Sequence, residues 1–235
     1  MPPIKLGFAM PAYGGMVDLG QVNMLIDFGF QLAGNEAAFT LVLRDIENLA
    51  YIEVVRNTIM AHALEAGCDW LLSVDADCFY DPPNPAEATS LLQMVFDASK
   101  DPRVAMVGTP VRRRGNPADP YYMVYKWRTP PRVKPIPEET FLGKVVPVDC
   151  ISTSLYAVNV NWIRSCWPKG PWYVVQHLGG LDYAGEDVTF CEGIRGRGGV
   201  ILCDGRVLPE HVQSRQTIKP PGALFDLPFK VTRGG

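Results

Sequence analysis

Between Trp70 and Asp77 the chain reads Trp-Leu-Leu-Ser-Val-Asp-Ala-Asp, an apolar run that ends on two carboxylates separated by one small residue. A run of that length bounded by polar residues reads as a buried strand, and the Cys-Phe-Tyr-Asp-Pro-Pro that follows turns the chain out of the sheet. Asp75 and Asp77 therefore fall at a strand's carboxyl end. Open α/β sheets bind their ligands there, and two hard oxygen donors suit a Mg²⁺ or Mn²⁺ carried in on a phosphate. An Asp at a strand end also serves simply to cap the following turn, so the pair takes its meaning from the motifs around it.

Strands and helices alternate about this run. Residues 4–10 read as a first strand, ending at Pro11-Ala12-Tyr13-Gly14-Gly15, a turn that brings backbone close to a ligand. A helix is predicted over 17–33 and a strand over 39–44. A helix over 50–66 follows, with Ile52, Val55, Ile59 and Ala63 on one face and Gly67 as its stop. After the strand 70–75 come a helix over 86–98 and a strand over 104–108. That order predicts an α/β fold, a single domain whose mostly parallel, Rossmann-like sheet is flanked by helices. Residues 112–147, rich in Pro and Arg, break the pattern and read as an extended loop or hairpin laid over the sheet. Order returns with a strand-like stretch over 145–158, a short helix over 159–166, a helix over 185–197 and a strand over 200–203. The expected organisation is one domain over 1–214, with a nucleotide and metal half to about residue 110 and an acceptor half beyond it. A C-terminal arm over 215–235, with Pro220, Pro221 and Pro228, completes it.

Composition excludes several function classes. The six cysteines form no Cys-x-x-Cys pair and the three histidines no His-x-x-x-His pair, so neither a zinc knuckle, a redox motif nor a zinc hydrolase is indicated. The apolar stretch near the N-terminus is broken by Gly7 and Pro11, too short for a signal core or a membrane span, and a cytoplasmic protein is expected. The net charge of −3 is unevenly spread. Residues 1–100 hold four basic and thirteen acidic groups, whereas 103–144 hold nine basic and three acidic. The basic segment, with Arg112, Arg113, Arg114, Lys126, Arg128, Arg132 and Lys134 among Tyr121, Tyr122, Tyr125 and Trp127, is either a solvated loop or a receiver of phosphates or a polyanion.

Three further sites accompany Asp75 and Asp77. Arg56-Asn57, on the helix before the metal strand, offers a planar cation for a diphosphate, for the Asp75 carboxylate or for a surface pair with Glu53. Glu186-Asp187 opens a helix, where acidic residues complement the helix dipole and a carboxylate equally serves as general base. His211 follows the last strand. In this order the motifs resemble nucleotide-sugar glycosyltransferases of the GT-A fold, especially the family-two-like branch: Pro11-Ala12-Tyr13, Arg56-Asn57, Asp75-Ala76-Asp77, Glu186-Asp187 and a late His211, over about residues 4–212. The chain departs from that pattern at Ser152-Thr153-Ser154, where relatives carry a Gly-Thr-Gly-like turn, and over 112–134, which matches none of its motifs.

The resemblance implies a hexosyltransferase-like enzyme that moves a sugar from a nucleotide-sugar, most commonly a UDP-sugar, to an acceptor hydroxyl of a glycan, a protein or a modified nucleic acid. It implies Asp77 and His211 as metal ligands, and Asp75 as a further ligand or as the group that holds the ribose or a metal-bound water. Pro11, Ala12, Tyr13, Arg56 and Asn57 would lie on the nucleotide side. Mn²⁺ suits a mixed oxygen and imidazole shell better than Mg²⁺. Asp187, or less directly Glu186, would be the base of an inverting reaction. Two alternatives stay beside it: a non-catalytic nucleotide- or nucleic-acid-binding protein on this fold, and a nucleotidyltransferase, against which Gly14-Gly15 without a nearby Lys or Arg argues.

Overall fold

The computed structural model describes residues 2–12, 19–47, 51–82, 84, 87–113, 121–129, 132–180, 182–213 and 216–218. Among them the strands in chain order are β1 (Ile4–Pro11), β2 (Phe39–Glu47), β3 (Trp70–Val74), β4 (Cys78–Phe79), β5 (Val104–Gly108), β6 (Val124–Thr129), β7 (Arg132–Pro135), β8 (Val145–Val148), β9 (Cys150–Ile151), β10 (Leu155–Asn159), β11 (Gln176–Gly179), β12 (Asp182–Ala184), β13 (Val200–Asp204), β14 (Glu210–Gln213) and β15 (Gln216–Ile218). The helices are α1 (Leu19–Ala33), α2 (Ile52–Glu65), α3 (Leu91–Ser99), α4 (Val160–Cys166) and α5 (Glu186–Gly196).

Seven strands form the central sheet in the order β2-β1-β3-β10-β5-β13-β8. β2, β1, β3, β5 and β13 run one way, and β10 and β8 are reversed. The mostly parallel sheet expected from the alternating elements is therefore present, with two strands inserted against its direction. β10 enters from the Ser152-Thr153-Ser154 turn, which sits at the carboxyl end of β3 because the Asp75 amide donates to the Ser154 carbonyl at 2.7 Å. Starting from that edge, the strand can only run back down the sheet.

Alternation along the strands feeds a core on each face. On β3, Trp70, Leu72 and Val74 pack with Met24 and Phe28 of α1 and Leu91 to Val95 of α3. Leu71 points the other way, into the layer made by α2, α4 and α5, with Ile59, Ile163 and Phe190. Glycine is required at position 7 because α2's end comes so close that a Cβ there would stand 2.9 Å from the Cys68 sulfur.

Three smaller sheets, β15-β14-β4, β7-β6-β9 and β11-β12, surround the carboxyl edge of the large one. The proline- and arginine-rich segment supplies β6 and β7, so its hairpin alternative is the one formed. The strand-like stretch 145–158 is broken into β8, β9 and β10 at Asp149 and at the Ser-Thr-Ser turn. The helix expected from residue 86 begins at Leu91, where Ser90 caps it by accepting from the Gln93 amide at 3.0 Å. β15 carries pairing past residue 214, where the domain was expected to end, and the rest of the arm from residue 219 lies outside the described residues. No helix among the described residues is long and apolar enough to cross a membrane.

Candidate active site

Asp75, Asp77, Arg56, Glu186, Asp187 and His211 come from four separate elements and line one cleft of about 370 Å³ at the carboxyl edge of β3. Ser152, Thr153, Ser154 and Arg113 complete its wall. A second cleft of about 380 Å³ between α1 and α3 is lined by Met24, Phe28, Phe30 and Tyr80, with Asp27 as its one charged residue. Of the two, the first concentrates ionisable groups, and that concentration, not volume, marks it as the candidate site.

Arg56 is the keystone of this arrangement. Its Nη2 donates to both carboxylate oxygens of Asp75 at 2.9 Å and to the Thr153 carbonyl at 3.0 Å, while Nη1 donates to Glu186 Oε1. The side chain is only 4% exposed. Burial opposes the guanidinium charge, but Asp75 and Glu186 outweigh it and keep the cation firmly protonated. Burial likewise pushes the Asp75 carboxyl up, with Arg56 pulling against it. The partners are Asp75 and Glu186, and the surface pair with Glu53 is not formed. Nε of Arg56 has no hydrogen-bond partner among the described residues.

Asp77 and His211 are brought together by a two-strand pairing. β14 lies antiparallel to β4 with His211 opposite Cys78, and the Val212 amide donates to the Asp77 carbonyl at 2.8 Å. His211 Nε2 then stands 3.6 Å from Asp77 Oδ1. Its Nδ1 lies 2.9 Å from the Arg112 carbonyl, and because a carbonyl only accepts, Nδ1 carries a hydrogen and Nε2 is the ring nitrogen turned to the Asp77 side. Two atoms each about 2.1 Å from one ion lie at most about 4.2 Å apart, so this oxygen and nitrogen fit a shared divalent cation. Among the described residues no group of three His, Cys, Asp or Glu side chains closes on one point, so a cation here needs further ligands from water or substrate.

Glu186 and Asp187 form the first turn of α5. Glu186 faces Arg56; Asp187 accepts from the Val188 amide at 2.8 Å. Burial and the neighbouring Glu186 charge push the Asp187 carboxyl up to about 6. Two adjacent acids thus sit in different surroundings. One is bound in an ion pair, and the other is poised to exchange a proton near neutrality.

The remaining residues singled out in the sequence lie elsewhere. Asn57 does not line the cleft: its Oδ1 accepts from the Trp172 and Tyr173 amides at 2.7 and 3.2 Å, and its Nδ2 donates to the Tyr173 and Glu53 carbonyls at 2.7 Å. It fastens the 172–173 segment, whose Tyr173 ring stacks on Phe190 of α5 at 4.1 Å. Asn57→Ala is expected to cost about 2–4 kcal/mol, since it strips several buried backbone groups of their partners at once. Thermal unfolding of that variant would check this, and an unchanged midpoint would refute it. Pro11 and Ala12 back the Asp75-Ala76-Asp77 turn, with the Pro11 carbonyl accepting from the Ala76 amide at 3.1 Å. Tyr13 and Arg114 lie outside the described residues.

Several contributors carry no motif. Gln21, fully buried on α1, donates to the carbonyls of Asp75 and Cys78 at 2.7 and 3.2 Å and so pins the carboxylate-bearing turn. The hydroxyls of Ser152 and Ser154 bond each other at 2.9 Å in the cleft wall. Arg113 enters the cleft from the bridge between Arg112 and Tyr122, its guanidinium resting over the Tyr121 ring at 5.3 Å.

No protein-family model and no curated protein matches the sequence. Solved structures match the fold. A197 from STIV superposes with a TM-score of 0.57 at 15% identity, covering 92% of this chain and 94% of that one. GalNAc-T7, whose structure contains UDP, GalNAc and Mn²⁺, superposes with a TM-score of 0.51 at 12% identity, covering 90% of this chain and 44% of that one. The fold is thus a single GT-A-like α/β domain, as the order of motifs implied.

Proposed function

We propose that this protein is a divalent-metal-dependent glycosyltransferase that takes a sugar from a nucleotide-sugar of the UDP class and passes it to an acceptor hydroxyl. The observation that carries the reading is the meeting of Arg56, Asp75, Asp77, Glu186, Asp187 and His211 in one cleft on a GT-A-like sheet. The UDP, GalNAc and Mn²⁺ in the GalNAc-T7 structure support the same ligand class.

Asp77 and His211 would hold the cation, and their oxygen and imidazole donors favour Mn²⁺ over Mg²⁺. When bound, such an ion neutralises charge that develops on a departing diphosphate, an effect worth several kcal/mol. Four carboxylates line the cleft against two guanidiniums, one of them already committed to Asp75 and Glu186, so a bare nucleotide diphosphate meets a repulsive field. Asp75, fixed by Arg56, would hold the ribose or a metal-bound water. Arg113 supplies the cleft's uncommitted positive charge. Asp187 takes the acceptor proton, and an inverting course follows if it does so opposite the leaving group.

Thermal unfolding with UDP, GDP, CMP and TDP, each with Mn²⁺ and with chelator, tests the reading. One nucleotide at 100 times its Kd should add about 2.7 kcal/mol, or about 5–10 °C for a chain of this size. The shift should need Mn²⁺ and vanish in Asp77→Ala. No shift with any nucleotide would sink the transferase reading in favour of a binding protein on this fold.

A further inference from the structure

The ribbon β6–β7 has two unlike faces. Tyr125, Trp127 and Val133 pack inward against the core, while Lys126, Arg128, Arg132 and Lys134 are exposed. Lys126 stands directly opposite Lys134, and Arg132, two residues from Lys134 on the same strand, shares their face. Arg128 falls at the irregularity between Trp127 and Thr129, which re-aims a side chain outward. Like charges directly across a ladder destabilise it. Exposed lysine on the edge strand β7 guards against edge-to-edge pairing, and set opposite Lys126 at a cost to the ladder it also makes a cationic surface suited to an anion. Arg132 pairs with Asp182 at 3.0 Å, and among the described residues no ion pair engages Lys126, Arg128 or Lys134.

The ribbon is also joined to the cleft on two sides. Asp182 begins β12, four residues before Glu186. At the other end Tyr125 meets the Tyr121 ring at 6.5 Å, and Tyr121 carries Arg113 of the cleft wall. Ribbon and cleft are therefore contiguous parts of one surface region, with Arg113 and Asp187 on the cleft side.

We propose that this outer face is a docking track for a phosphodiester polymer, and that the acceptor is presented to the cleft by nucleic acid. The acceptor assignment rests on the transferase reading; the docking does not. A uniformly cationic face recognises a repeating charge, as phosphate contacts do. The ribbon's aromatic rings are turned to the core, so its outer face lacks both stacking platforms for splayed bases and sockets for peptide side chains. A duplex backbone is the form it fits.

Fluorescence anisotropy of the full chain with a 30-mer duplex DNA, the same single strand, the matching RNA and poly-glutamate, from 50 to 200 mM salt, tests this. With three phosphates neutralised, duplex affinity should fall about 40-fold over that range, and only about 3- to 4-fold in Lys126→Gln/Lys134→Gln. Removing a like-charge pair leaves the fold intact, so the variant's unfolding midpoint should match or exceed the parent's. No duplex binding at 50 mM salt, an unchanged salt slope in the double variant, or equal binding of poly-glutamate would each overturn the proposal. Nucleotide stabilisation by Mn²⁺ persisting beside such a failure would overturn the track alone, and its loss the transferase reading.

Discussion

Asp187→Asn should lower turnover about 10²–10⁴-fold while leaving Mn²⁺-dependent nucleotide binding intact, because it removes a proton acceptor and little else. The variant keeps an oxygen to accept from the Val188 amide, so the first turn of α5 retains its cap. The pH dependence follows from the same group. With its carboxyl pushed up to about 6, Asp187 is mostly charged at pH 7 and about nine-tenths protonated at pH 5. Parent turnover should therefore fall about tenfold per pH unit below that value, and the residual activity of Asp187→Asn should lose the dependence.

Stability moves the opposite way. The folded carboxyl binds its proton more tightly than the unfolded one, so its favourable contribution is complete below about pH 4 and is lost as pH rises through about 6. At pH 8 the native state carries a half-buried charge beside Glu186. Asp187→Asn relieves it, and the unfolding midpoint at pH 8 should rise or stay level. A residue whose charge only complemented the dipole of α5 would give the reverse: lower stability and nearly full turnover. That combination would remove Asp187 as the base.

Five of the six residues that meet in the cleft, all but His211, were legible because each sits in or beside an element with a strong local signal. The apolar run before Asp75, the three- and four-residue spacing around Arg56 and the acidic opening of α5 each fix both the element and where its chemical group emerges. His211 was legible as a motif but not as a geometry, since its position depends on β4 and β14, strands of two and four residues with no periodicity to read. Gln21 was illegible as a site residue because it acts at one remove, its side-chain amide donating to the backbone carbonyls of Asp75 and Cys78, and no local pattern marks such a role. Asn57 misleads for a related reason. It neighbours Arg56 in sequence, but the helix turns it about 100° away, toward the 172–173 segment. The reversed β10 escaped because its sequence is that of any buried strand, and direction is set by the turn that delivers it.

Arg56→Met is the most damaging single change available near the cleft. It leaves Asp75 and Glu186, both mostly buried, without their shared cation, and the Thr153 carbonyl without a donor. Breaking a buried pair from one side costs about 3–5 kcal/mol, and in a chain of this size each kcal/mol lowers the midpoint by about 2–4 °C. A fall of about 6–20 °C is expected. Arg56→Lys should recover only part of it, because a single ammonium cannot reach two carboxylates and a carbonyl in the plane that the guanidinium spans. Adding Asp75→Asn to Arg56→Met should restore stability in part, since a neutral amide needs no counter-ion, and the two changes should be clearly non-additive. Additivity would mean that Arg56 and Asp75 contribute separately and that the guanidinium is not what holds the carboxylate-bearing turn against α5. It would then be available to a substrate diphosphate, and its loss should raise the KM for the donor more than it lowers stability.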